Sequence, residues 1–328
     1  MNSLNPLLQN LSYSAINILH ECPRKFELNR LQAKPDYLEE SEERIQTLTF
    51  SFGHTVGQGV QLLLEGKSIE QTYWELFISF KGSLLFIDEK RNKSFAHALH
   101  AIDIFNNLLS SNLILEDYQI VSITTQQGIT KFSSELGFRI SYPNGYKFRG
   151  YIDVILIHKI TGEILVLEIK TSSQYAINPN IYRNSPQATG YAVVIDHLFK
   201  DVSSYNVLYG IYKTKSMEWE FYSFPKSMTT RAKWLQNILI DTKKIELYHA
   251  MDSFPMYGES CVGKYFRECE YINSCHLDNS ILVGTSDVYV DFDSDGNVIE
   301  HKPSEKEKDK LYDFEFTLDD MINKFLEN

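Results

Sequence analysis

The sequence predicts a mixed α/β fold, one sheet flanked by helices, on three observations. Consecutive strand-like runs at about 133–142, 146–158 and 163–171 are joined by tight turns. A Pro-opened helical stretch at 186–198 is followed by two more strand runs, 205–213 and 217–224. Helical spacing of apolar residues recurs within 12–31, 52–67, 68–118 and 228–249. Three adjacent strands, a helix and a returning strand build a mixed sheet with helices on its faces. At 328 residues, 43% apolar and 13% aromatic, the chain can fill one large core or two. No stretch approaches the uncharged apolar length of a membrane span, and MNSLNPLLQN lacks the features of a secretory signal. A cytoplasmic protein with no membrane partner is therefore expected.

Taken in order, Ser12 is an N-cap for a helix carrying Ile16, Leu19 and His20, and Pro23 suits the first turn of a second segment through Phe26, Leu28 and Leu31. Arg24, Lys25 and Arg30 give that segment a basic flank. The acidic stretch 35–48 reads as an exposed connection or short helix. Val56, Val60, Leu63 and Leu64 mark a helix within 52–67, where Gly53, Gly57 and Gly59 permit close approach of a neighbour or ligand. Apolar stripes through Trp74, Phe77, Phe80, Phe95, Ile102 and Phe105 make about 68–118 a helical insertion, a scaffold forming one wall of a substrate channel.

The sheet begins near Ile120. Pro143-Asn144-Gly145 and Thr161-Gly162 supply the hairpin turns of a three-stranded meander. Glu135 stands at its start, exposed or as a third carboxylate near a site. Residues 174–186 form a loop leading to the helix that Ser185 caps and Pro186 opens, with Gln187 and Tyr191 on one face. Lys213-Thr214-Lys215 is a basic turn, and Arg231, Lys233, Lys243 and Lys244 on the next helix are candidate phosphate contacts. DFDSDG (291–296) begins like a calcium loop, but its twelfth position is Lys302, so a turn between strands 287–292 and 297–301 is preferred. A solvated linker, 303–310, precedes an acidic amphipathic helix that either packs on the domain or binds a partner.

Chemistry concentrates in 146–173. Asp153 lies in one strand; Glu168 and Lys170 lie in the next, sharing a face, with Leu167 and Ile169 on the other. Two carboxylates and an ammonium among Val, Ile and Leu need mutual pairing or a bound cation. A surface ion pair and a divalent-metal site both meet that need. The four cysteines, Cys22, Cys261, Cys269 and Cys275, are either a metal centre or inert core residues. The segment 261–275 is poor in aliphatic residues, unlike core, and carries Lys264, Tyr265 and Arg267.

The order Gly150-x-Ile152-Asp153, then Glu168-Ile169-Lys170, then Gln187-x-x-x-Tyr191 resembles the PD-(D/E)XK nuclease superfamily in its RecB-like branch. Ser12, Ser14 and Ile16 followed by Cys22 to Phe26 resemble that branch's N-terminal signature. Cys22 with Cys261, Cys269 and Cys275 resembles the iron–sulfur cysteines of AddB-type and CRISPR-associated members. The resemblance runs from Ser12 to Cys275 and implies a RecB-like nuclease domain over 1–279, with an acidic tail over 280–328.

It implies Mg²⁺ or Mn²⁺ on Asp153, Glu168 and the Ile169 carbonyl, with Lys170 acting on the attacking water and Gln187 and Tyr191 steadying the site. It further implies a [4Fe–4S] cluster, with structural Zn²⁺ as the alternative. The substrate implied is DNA, single-stranded or at ends, cut by an exonuclease of recombination, repair or replication. The chain departs from the branch in one respect: where relatives have G-x-x-x-H, counting from Gly53 gives Gly57, with His54 out of register. A catalytically weak or inactive DNA-binding subunit, recruiting a protein partner through the acidic tail, is therefore the alternative. The net charge of −11 does not oppose DNA binding, since residues 281–328 hold thirteen acidic residues against five lysines.

Overall fold

β-branched and aromatic residues between 118 and 227 form most of the principal sheet in this computed structural model. It describes residues 6–31, 48–79, 87, 92–142, 144–199, 202, 204–263, 267–273, 275–276, 289–292, 298–301 and 312–327. In chain order come α1 (Pro6–Gln9), β1 (Asn10–Leu11), α2 (Tyr13–Glu21), α3 (Pro23–Leu31), α4 (Leu48–Leu64), α5 (Ile69–Ser79) and α6 (Phe95–Ser110). Then follow β2 (Tyr118–Ile120), β3 (Ser122–Thr124), β4 (Thr130–Phe132), β5 (Ser134–Ser141), β6 (Lys147–His158) and β7 (Ile164–Ser172). Next are α7 (Asn180–Arg183), α8 (Pro186–Gly190), α9 (Ala192–Leu198), β8 (Ser204–Lys213), β9 (Glu218–Ser227) and α10 (Met228–Ala250). The chain closes with β10 (Val262–Gly263), β11 (Arg267–Glu268), β12 (Tyr289–Phe292), β13 (Val298–His301), β14 (Phe314–Thr317) and α11 (Leu318–Glu327). The expectations for 35–48, Phe80, Pro143, Lys264, Tyr265, the DFDSDG turn and 303–310 fall wholly or mostly outside the described residues.

The chain forms two compact units: residues 1–43, 139–149 and 236–311, and residues 44–138, 150–235 and 312–328. In the second, the strand order is β14-β5-β6-β7-β8-β9, with β2 also on β6. β6 and β7 are antiparallel across a turn where Gly162 takes φ +73°, a left-handed conformation that suits a residue without Cβ. β7 and β8 are parallel, which requires the crossover that α7, α8 and α9 provide, and β8 returns antiparallel to β9. This is the mixed sheet the sequence predicts.

One face of β6 and β7 packs Val154, Leu156, Leu165, Leu167 and Ile169 against Phe52, Val56 and Val60 of α4 and Ile102 and Phe105 of α6. Each such side chain contributes roughly 1.5–3 kcal/mol of burial. A Cβ at Gly59 would lie 2.2 Å from Ile102 Cδ1, so the glycine is what admits the α6 side chain. The predicted insertion over 68–118 contains α5 and α6. Although a tail distinct from 280 onward is expected, residues 312–327 lie in the second unit, with β14 joining the principal sheet beside β5.

In the first unit, Ser12 Oγ accepts the Ala15 amide at 3.3 Å to cap α2, and Cys22 separates α2 from α3, which Pro23 opens. β1 pairs in parallel with Lys147 and Phe148, and Tyr13 meets the Phe148 ring edge-on at 4.9 Å. Arg24 corrects the picture of a solvated basic flank: it is buried, paired to Glu27, and its Nε donates to the Cys275 carbonyl at 3.0 Å. A guanidinium with partners on both sides is a structural bridge.

Candidate active site

β6 and β7 are registered from Ile157↔Ile164 to Val154↔Leu167, where the ladder ends. One residue further, Asp153 Oδ2 accepts the Ile169 N–H at 2.8 Å, so a carboxylate serves an amide that the β6–β7 ladder no longer reaches. Strand alternation then turns Glu168 and Lys170 away from the core that holds Leu167 and Ile169.

Glu168 is 1% exposed. Tyr191 donates its hydroxyl to Glu168 Oε2 and accepts Gln187 Nε2 at 2.8 Å. Lys170 Nζ reaches Gln187 Oε1 at 3.4 Å and pairs with Glu168 Oε1, which closes a ring of four side chains. Oε1 has no hydrogen bond of its own beyond that ion pair. The predicted single helix over 186–198 is instead two, α8 and α9, meeting at Tyr191. Gly190 weakens the helix there. Both Val194 and Ile195 amides bond to the Tyr191 carbonyl at 3.1 Å, a tightened turn. Tyr205 of β8 secures α8 by donating to the Ala188 carbonyl at 2.7 Å.

Burial, and then the neighbouring Glu168 charge, push the Asp153 carboxyl up to about 8. Burial alone would lower Lys170, but Glu168 and Asp153 outweigh it and hold the ammonium above its ordinary value. Glu135 is exposed, with φ +45°, and its charge adds to the rise at Asp153. Tyr209, opposite Glu168 in the β7–β8 register, was not singled out from sequence; its ring lies 4.7 Å from Tyr182, and burial raises its hydroxyl. The signal was present in the Tyr205 and Tyr209 spacing of a strand parallel to the Glu168 strand.

On α4, Gly53 lies against Thr171, its Cβ position 3.3 Å from Thr171 Oγ1. Around the place of the missing histidine, Gln61 donates to the Asp153 carbonyl at 3.4 Å, Gln58 reaches Ser79, and His54 is exposed beside Phe50. Arg231 is not a phosphate contact: it is 2% exposed, pairs with Asp196 at 3.0 Å and donates to the Val202 carbonyl at 2.6 Å. Lys233 and Lys243 are exposed, and Lys244 pairs with Asp241 at 3.2 Å.

Cys22, Cys261, Cys269 and Cys275 line one small cavity of the first unit, together with Lys25, Tyr257 and Tyr271. Burial, then Cys261 and Cys22, raise the Cys275 thiol. The four are free thiols. Among the described residues, no three His, Cys, Asp or Glu side chains converge closely enough to hold an ion. The donor chemistry of the two places nevertheless differs. Asp153, Glu168 and the Ile169 carbonyl offer only oxygens, and Glu168 Oε1 has no hydrogen bond beyond its pairing with the Lys170 ammonium, a set that fits a hard divalent cation. Four thiols are the donor set of an iron–sulfur cluster or structural zinc.

No helix of the described residues is long and apolar enough to cross a membrane. No curated protein matches the chain. Among solved structures, a provisionally assigned exonuclease from Eubacterium rectale is similar at 13% identity, over 79% of this chain and 88% of that one, with a TM-score of 0.39. SSO0001 is similar at 19% identity, over 64% and 83% of the two chains, with a TM-score of 0.24. The family profile described as the PD-(D/E)XK nuclease superfamily matches residues 10–276, a span that contains the Asp153, Glu168 and Lys170 constellation and all four cysteines; the chain belongs to that superfamily.

Proposed function

We propose that the protein is a metal-dependent deoxyribonuclease of the RecB-like branch, an exonuclease acting on single strands or DNA ends in recombination, repair or replication. The observation that carries this is the closed ring of Glu168, Lys170, Gln187 and Tyr191 beside Asp153. Asp153, Glu168 and the Ile169 carbonyl would hold Mg²⁺ or Mn²⁺. When bound, the ion polarises the scissile phosphate and lowers the pKa of its water. Lys170, kept charged by its two acidic neighbours, donates to the attacking water and to the negative charge that develops on the phosphate. Tyr191 and Gln187 hold Glu168 and Lys170 in place. The nuclease domain takes residues 1–279 together with β14 and α11. The cysteine cavity takes a [4Fe–4S] cluster, or Zn²⁺ in its place, and a cytoplasmic location keeps those thiols reduced.

A DNA-binding subunit without turnover, recruiting a partner through its acidic C-terminal residues, is the second reading. It is favoured by Gly57 standing where relatives have histidine, with nothing within 4 Å of its Cβ position. One experiment separates the two: cleavage of end-labelled single- and double-stranded DNA in Mg²⁺ and in Mn²⁺ by anaerobically purified protein and by Lys170→Ala. Cutting by the wild type alone establishes the nuclease, whereas binding without cutting by both establishes the subunit.

A further inference from the structure

We propose that the C-terminal end of β7 carries a stacking platform for unpaired nucleobases, built from Tyr175 with Lys215 and, on α4, from Phe50 with His54. The proposal rests on the nuclease reading above and specifies its substrate as single-stranded DNA.

Tyr175 follows Lys170 by five residues, and its side chain is 71% exposed. Lys215 Nζ stands 4.5 Å from the ring centroid, so one face of the ring carries a cation and the exposure leaves the other to solvent. The presenting loop is anchored. Lys213, itself buried and paired to Glu218 at 3.1 Å and to Glu220, donates to the Tyr175 carbonyl at 3.4 Å.

The second half of the platform reaches the same strand end through Gly53, whose Cβ position is 3.3 Å from Thr171 Oγ1, one residue past Lys170. The next helical residue, His54, is exposed, and its ring is parallel to that of Phe50, with 2° between planes and 6.5 Å between centroids. Phe50 is 62% exposed. Lys93 brings a cation to this turn by donating to Thr49 Oγ1 at 3.0 Å.

A phosphodiester at Glu168 and Lys170 brings its neighbouring nucleotides over this strand end. Exposed aromatic faces flanked by ammonium groups take any base by stacking while the cations meet the phosphates. Bases in a duplex are already stacked on each other, so the platform serves unpaired strands. Neither aromatic pair belongs to the ring that positions Glu168, so its loss should change substrate binding and not the chemistry.

The test compares wild type, Tyr175→Ala, Tyr175→Trp and Phe50→Ala. It measures kcat and KM on a single-stranded oligonucleotide and on a blunt duplex of the same sequence. It also measures metal-free binding of a single strand containing 2-aminopurine. Tyr175→Ala should weaken single-strand binding and raise KM about 10-fold, the effect of one lost stacked base. It should lose the 2-aminopurine quenching and leave kcat and the duplex KM unchanged. Tyr175→Trp should restore binding and quenching, and Phe50→Ala should act in the same direction as Tyr175→Ala. Wild-type single-strand affinity in Tyr175→Ala, or equal losses on single strand and duplex, overturns the platform. A wild type that binds and quenches the strand but cuts nothing overturns the catalytic reading and supports the platform. A wild type that binds no single strand overturns the platform.

Discussion

At Glu168 the chain buries an acid and at Asp153 it half-buries another, and it supplies their partners itself: Tyr191 and Lys170 for the first, the Ile169 amide for the second. Around Cys22, Cys261, Cys269 and Cys275 it gathers four thiols whose polar contacts are slight, such as Cys22 Sγ at 3.9 Å from the Pro255 carbonyl. The contrast follows from the groups. A carboxylate in an apolar strand must be hydrogen-bonded for the strand to form, so its ring is assembled by folding. A thiol behaves as a small hydrophobe with a weak donor, so four thiols can share a cavity with few hydrogen bonds of their own. One place is held by its own side chains; the other is a cavity of free thiols, which the proposal above fills with a cluster or zinc.

The largest expected effect breaks the first place. Lys170→Ala, which opens the ring and removes the charge facing Glu168, should lower kcat by at least ~10²-fold with the protein still folded by circular dichroism. Retained cleavage would remove Lys170 from the chemistry.

The second place should respond in composition and stability. Cys261→Ser should lose bound iron or zinc by elemental analysis and melt several degrees lower, because metal binding there is folding energy. Unchanged metal content would make the thiols inert core residues.

Tyr191→Phe sharpens the comparison from inside the ring. Removing a fully buried hydroxyl that donates to Glu168 should cost roughly 1.5–3 kcal/mol in denaturant unfolding. A stability unchanged within error would mean that Glu168 does not need that donor.

The neighbouring Asp153 carboxyl gives a test in pH. Asp153 is raised from its ordinary 3.8 to about 8, so the metal-free fold is favoured when it holds a proton. That contribution is complete below the unfolded value and is lost as pH rises toward the folded one. Metal-free protein should therefore lose stability between about pH 4 and about pH 8. Mg²⁺, which favours the ionised pair, should flatten the slope, and so should Asp153→Asn. A slope equal in wild type and Asp153→Asn would assign the titration to another group.

Several features were legible in the sequence because they depend on near neighbours. Strand alternation alone puts Glu168 and Lys170 opposite Leu167 and Ile169. Ser12 caps its helix within three residues, and Gly162 supplies the left-handed turn between β6 and β7. The spacing of Gln187 and Tyr191 places them on one helical face, where they are hydrogen-bonded.

Tertiary structure decided which charges are solvated and which elements join. Arg24 looks like a surface cation until the Cys275 carbonyl, 251 positions away, covers it. Arg231 looks like a phosphate contact until Asp196 and the Val202 carbonyl enclose it. Phe314–Thr317 reads as part of a tail until it becomes a strand beside β5. The break at Tyr191, whose hydroxyl meets Glu168, likewise has no local signal beyond Gly190. Periodicity reports which face a residue occupies, but the solvation of a charge depends on whatever packs against that face, and here the partners are distant in the chain.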